Sequence, residues 1–127
     1  MKRTVFTKKA PAAVGPFSHD VITGGPLFVS DQLPVDPITG EFAQRGIKEQ
    51  THQSLENLTQ IFASKSMPPP HEAKPTAFLN AMDDLVERNA VYQKMLGEGN
   101  IPTRSAFEVT RLPKDALAEI EPIAADP

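Results

Sequence analysis

The chain has 127 residues, no cysteine, 13 prolines and a formal net charge of −3. Its length predicts one domain that buries roughly two thirds of its unfolded surface, and the missing cysteines exclude disulfides, thiolate catalysis and cysteine-based zinc sites. The mild acidity argues against nucleic acid as the main partner, and proline at about twice its usual frequency predicts turns, strand edges and stiff connectors.

The N-terminus carries Lys2, Arg3, Lys8 and Lys9, which read as a solvated basic end. Thr4 to Thr7 alternates weakly and predicts a short strand. "APAAVGPFSHDV" follows, punctuated by Pro11, Gly15 and Pro16. "PLFVSDQLP" reads as a second strand with Leu27, Phe28 and Val29 apolar and Pro34 at its end. Asp36-Pro37 and Thr39-Gly40 mark a turn. From Ile47 the period changes. Ile47, Thr51, Leu55, Leu58, Ile61 and Phe62 recur at three and four residues, which predicts an amphipathic helix to about Ser64. Pro68, Pro69 and Pro70 read as a stiff extended linker. "TAFL" predicts a strand with Pro75 at its start, where a lost donor costs least.

Asn80 is a predicted N-cap, with Asp83 three residues on. The helix it opens runs from Met82 to Leu96, stopped by Gly97. Its stripe holds Leu85, Tyr92 and Leu96. Asn89 lies on that stripe as well and needs a hydrogen-bonding partner there. Two strands finish the chain, Thr103 to Thr110 and Ala116 to Ala124, joined by "RLPKDA". This order predicts α+β architecture, a mixed sheet of about six strands with two helices on one face. A single chain has nothing left to cover the other face, so an oligomer is expected. No apolar run reaches signal-peptide or membrane length. The reading is a cytoplasmic protein without a membrane role.

Several letter patterns carry no chemistry. Ser18, His19 and Asp20 are adjacent and so cannot align nucleophile, base and orienter. His52 and His71 lack metal-ligand spacing, and "TGG" and "GEG" are turns rather than phosphate loops. The C-terminal strands offer more. Alternation sets Arg104, Ala106 and Glu108 opposite Phe107 and Val109, and sets Glu119 and Glu121 opposite Ala118 and Ile120. If these strands are neighbours, Arg104 approaches a carboxylate. Such a pair is either a surface ion pair of little energy or an anion site, in which the guanidinium fork matches a substrate carboxylate and the glutamate holds a water or proton.

"APAAVGPFSHDV", "LFVSDQLPVDPITGEF", "EQTHQSLENLTQIF", "NAVYQKMLGE" and "TRSAFEVTRLPKDALAEIEPIA" together resemble the YjgF/RidA family over nearly the whole length of the chain. The resemblance implies one chorismate-mutase-like domain over residues 1–127, assembled as a homotrimer with clefts between subunits. It implies hydrolysis of reactive 2-imino or enamino acids to 2-oxo acids and ammonia, with no metal or organic cofactor. By position it implies Arg104 as the carboxylate-binding arginine and Glu119 as the glutamate that positions water. Ser30 and Asn89 match cleft-lining positions. Phe17 stands where tyrosine is common, Asp31 where glycine is common, and Ala106 where a small residue or cysteine occurs.

Asp31 is the main departure. A carboxylate about 4 Å from a substrate carboxylate repels it by roughly 4 kcal/mol at intermediate dielectric, more than the roughly 1.5–3 kcal/mol of one charged hydrogen bond. Strict alternation would place Asp31 with Val29 and turn it away from Ser30 and Phe28. Both orientations remain open at this level. They separate a deaminase from a silent ligand-binding relative. An RNA-directed role, described for some relatives, needs a basic surface that the net charge does not promise.

Overall fold

The chain runs through strands β1 (Arg3–Val5), β2 (Asp20–Ile22) and β3 (Leu27–Val29), helix α1 (Ile47–Ala63), strand β4 (Glu72–Leu79), helix α2 (Leu85–Leu96) and strands β5 (Ser105–Glu108) and β6 (Ala118–Ala124). These elements are those of a computed structural model that describes residues 3–5, 7–12, 15–18, 20–22, 26–43, 46–64, 72–96 and 103–124. The readings of His19, Pro68 to Pro70, His71 and Gly97 lie outside the described residues. The six strands form one sheet in the order β1-β2-β3-β6-β4-β5. β4 and β5 pair in parallel and the other neighbours are antiparallel. The expected mixed α+β sheet is therefore present. β2 had no counterpart in the sequence reading, because a three-residue strand opening on aspartate carries too short an alternation to register.

The predicted stripe on α1 is buried throughout, from Ile47 to Phe62. Leu55, Leu58, Ile61 and Phe62 pack with Leu27, Val29, Ile120 and Ala124 from the sheet and with Tyr92 from α2. Burying side chains of this size contributes about 1.5–3 kcal/mol each. The polar residues on the same helix tie it to the loops around it. Asn57 donates through Nδ2 to the carbonyls of Leu33 and Val35 at 3.1 and 2.9 Å. Its Oδ1 accepts from Gln53 at 3.0 Å. Gln50 accepts the Leu117 N–H at 2.8 Å, just ahead of β6. These bonds hold both segments that carry the site described below.

The second helix differs from its predicted form. A 3-10 turn, Met82–Asp84, precedes α2, and Asn80 does not cap it. The Asn80 N–H bonds the Leu117 carbonyl at 3.0 Å, which keeps Asn80 with the sheet. The Met82 N–H is taken instead by the Glu108 carboxylate at 2.7 Å. Arg88 is fully buried on α2, with its guanidinium carbon 4.4 Å from the centroid of the Tyr92 ring, a cation–π arrangement. Pro75 also departs from expectation. It sits inside β4 rather than at its start, paired with Pro122 of β6, so both missing donors fall at one register position.

The sheet's two faces are unlike. Ala77, Leu79, Ala118 and Ile120 are buried toward the helices. On the other face Phe28 and Phe107 are 44% and 53% exposed. Phe78 and Phe107 stack there with ring centroids 6.3 Å apart.

Candidate functional site

The site begins with a register change. Phe28 pairs with Ile123, but the next bridge joins Gln32 to Ile120. Three residues, Val29, Ser30 and Asp31, therefore oppose two, Glu121 and Pro122. This is a β-bulge, a device that re-aims side chains beside functional sites. Pro122 brings no N–H to the ladder there. Beyond the bulge Asp31 lies opposite Glu121, so its side chain joins the face that carries Glu119 and Glu121. The alternation that would have turned Asp31 away does not apply, because it assumes an unbroken ladder.

Asp31, Glu119 and Glu121 form a hydrogen-bonded carboxyl group cluster. Burial raises the Asp31 carboxyl to about 6. The hydrogen bond and charge of Glu119 add to that rise, while bonds from Glu121 and the Asp31 backbone oppose it. Glu121 rises to about 7, chiefly through its hydrogen bond to Asp31, then through burial and the Asp31 charge. Like charges this close keep a proton between them. Glu119 is only 5% exposed.

These carboxyls line a cavity of about 650 Å³ with Phe17, Ser18, Asp20, Val21, Phe28, Ser30 and Pro113. That volume suits a small organic ligand. A second cavity of about 290 Å³ adjoins it, sharing Phe17, Asp31 and Leu33 and reaching Lys114. The wall is held locally. Ser30 Oγ donates to the Ser18 carbonyl at 2.6 Å, fixing the segment that presents Phe17. Lys114 and Asp115 both adopt left-handed backbone, φ 55° and 57°, a conformation that costs of order 1–3 kcal/mol outside glycine. Arg111 clasps Asp115 at 2.7 Å across this turn. The turn sets Pro113 at one cavity and Lys114 at the other.

Four of the predicted site residues thus meet at one cavity: Phe17, Ser30, Asp31 and Glu119. Three do not. Arg104 is exposed just ahead of β5, and Ala106 is half-buried within that strand. Asn89 lies half-buried on α2 and accepts from Arg88 at 3.3 Å. The expected approach of Arg104 to Glu119 fails within one chain for two reasons. β4 lies between β5 and β6. The register also sets Ala106 level with Ala77 and Ile120 on the helix side, whereas Glu119 is level with Phe78 and Phe107 on the opposite face. The sequence reading dismissed Ser18 and Asp20 as a letter pattern and did not single out Pro113, yet all three line the cavity; it placed Glu121 beside Glu119 without giving it a role. Alternation already put Glu121 on the Glu119 face, so that residue was within reach.

Among the described residues no group of three or more His, Cys, Asp or Glu is arranged to hold a metal ion, and no helix is long and apolar enough to cross a membrane.

A family model described as Endoribonuclease L-PSP matches residues 7–126. A "RutC family protein" of Pyrococcus horikoshii is 44% identical, covering 98% of both chains. The 2-iminobutanoate/2-iminopropanoate deaminase of Salmonella typhimurium is 40% identical, again covering 98% of each. The crystal structure of Escherichia coli TdcF with bound serine superimposes with a TM-score of 0.93 at 35% identity, covering 98% of this chain and 99% of that one.

Proposed function

The chain belongs to the Endoribonuclease L-PSP family, and on that premise we propose that it hydrolyses reactive 2-imino or enamino acids to 2-oxo acids and ammonia as a homotrimer with clefts between subunits. The observation that carries this reading is Glu119, a buried carboxylate at the wall of a ligand-sized cavity. Relatives of this family named as deaminases act on imines, and one relative holds an amino acid.

The cavity residues of one chain form half of a site. The other half, Arg104, Ala106 and Asn89, lies on the edge strand and the second helix. A neighbouring copy bringing its β5 edge to this cavity unites the two halves and covers the exposed Phe28 and Phe107. In that cleft Arg104 of the neighbour grips the substrate carboxylate by a bidentate pair. Glu119 holds a water and takes its proton as the oxygen attacks C2 of the imine. The amine nitrogen gains a proton, the C–N bond breaks, and water plus imino acid become 2-oxo acid plus ammonia. Positioning supplies most of the gain, since the imine is reactive already.

The test is ammonia release from an imine made in situ by an amino-acid oxidase, with and without the protein. Acceleration over spontaneous hydrolysis is expected, and Arg104→Ala should lower kcat/KM at least tenfold. No acceleration by the native protein would overturn the proposal. That result would leave the silent-binder reading, which Asp31 favours by placing a third carboxyl in the cavity. RNA cleavage is disfavoured by the same three carboxyls, which repel phosphate.

A further inference from the structure

Resting on the deaminase reading, we propose that Asp31 makes this cleft selective for substrates that carry a positive charge on the side chain, a basic 2-imino acid rather than a neutral or acidic one. The bulge aims Asp31 at Glu119 and Glu121 instead of away from them. Glu119 is more than nine-tenths buried at the cavity wall, and it shares a hydrogen bond with Asp31, another acid. A buried carboxylate of this kind calls for a cation. The charged side chains around Asp31 are Glu119 and Glu121 from β6 and Lys114 from the turn before β6, while Asp20 of β2 pairs with Val29 on the helix side of the sheet. One lysine at the adjoining cavity, even with one guanidinium from a neighbouring copy, does not offset Asp31, Glu119 and Glu121. Phe17, Val21 and Phe28 make much of the remaining wall apolar, beside Ser18 and Ser30, which suits the methylene stem of a long basic side chain. The three carboxyls are not arranged as a metal site, so the cation they fit is an organic one.

The probes are imines made in situ from arginine and from citrulline, which is similar in length but uncharged. At pH 8, kcat/KM should be at least tenfold higher for the arginine-derived imine. The preference should shrink toward pH 5.5, as Asp31 and Glu121 gain protons near 6 and 7. Asp31→Asn should bring the ratio of kcat/KM for the arginine- and citrulline-derived imines, measured within the variant, to about one whatever its absolute rate, and Asp31→Gly provides a second variant that removes the carboxylate. Equal rates for the two imines, or a preference that survives both substitutions, would overturn the inference. If neither imine is hydrolysed faster than spontaneously, the deaminase reading fails on its own. Calorimetric binding of free arginine against free citrulline then decides the charge preference without catalysis: tighter arginine binding supports it, and equal or weaker binding refutes it.

Discussion

Replacing Asp31 with asparagine should stabilise the protein at alkaline pH. Asp31 and Glu121 both titrate above their ordinary range in the folded chain, so between about pH 4 and 7 the folded state holds more protons than the unfolded one. Stability then falls as pH rises through that window and stays low above it. Raising one carboxyl from 3.8 to about 6 corresponds to about 3 kcal/mol, at roughly 1.4 kcal/mol per pKa unit. The two carboxyls share a proton, so the pair counts once. Asp31 is only half-buried, and solvent screening brings the expected penalty to about 1–2 kcal/mol. For a domain of this size that is a drop in Tm of roughly 3–8 °C between pH 5 and pH 8. Asp31→Asn removes the charge and keeps the shape, so its Tm should be higher than the native value at pH 8 and nearly level across the range. Calorimetric melting of both proteins from pH 4.5 to 8.5 measures this. A native Tm that rises or stays level over that window would refute the facing of Asp31 toward Glu119 and Glu121.

Two further outcomes follow from the packing. Asn57→Ala strips two loop carbonyls of their donor and should cost about 2–3 kcal/mol in denaturant unfolding, with the loop before α1 losing hydrogen-exchange protection first. Phe107→Glu places a charge on the exposed ring of the sheet's open face. Under the proposed assembly, analytical ultracentrifugation should show the native chain as an oligomer and the variant shifted to monomer; identical sedimentation of the two would refute the use of this face.

Much of this architecture was written in local pattern. The stripe from Ile47 to Phe62 fixes α1 within a residue, because six apolar or small positions at helical spacing admit no other fold of that segment. The face assignments of Phe107 against Ala106, and of Glu119 against Ala118, also follow from alternation alone. The site was legible in pieces. Alternation reached Glu119, the family resemblance named Phe17, Ser30 and Asp31, and the four line one cavity.

What alternation lacks is any knowledge of which strand lies beside which. β4 enters between β5 and β6, and that insertion separates Arg104 from Glu119 within the chain. The orientation of Asp31 was likewise a tertiary decision. Its own neighbours, read as a regular strand, turn it toward the helices. The mismatch of three residues against two across Glu121 and Pro122 turns it into the cavity. Pairing partners are chosen by contacts between residues some ninety positions apart, so no window along the chain can contain them. Local sequence settled the elements and their faces; long-range register settled which charges share a wall.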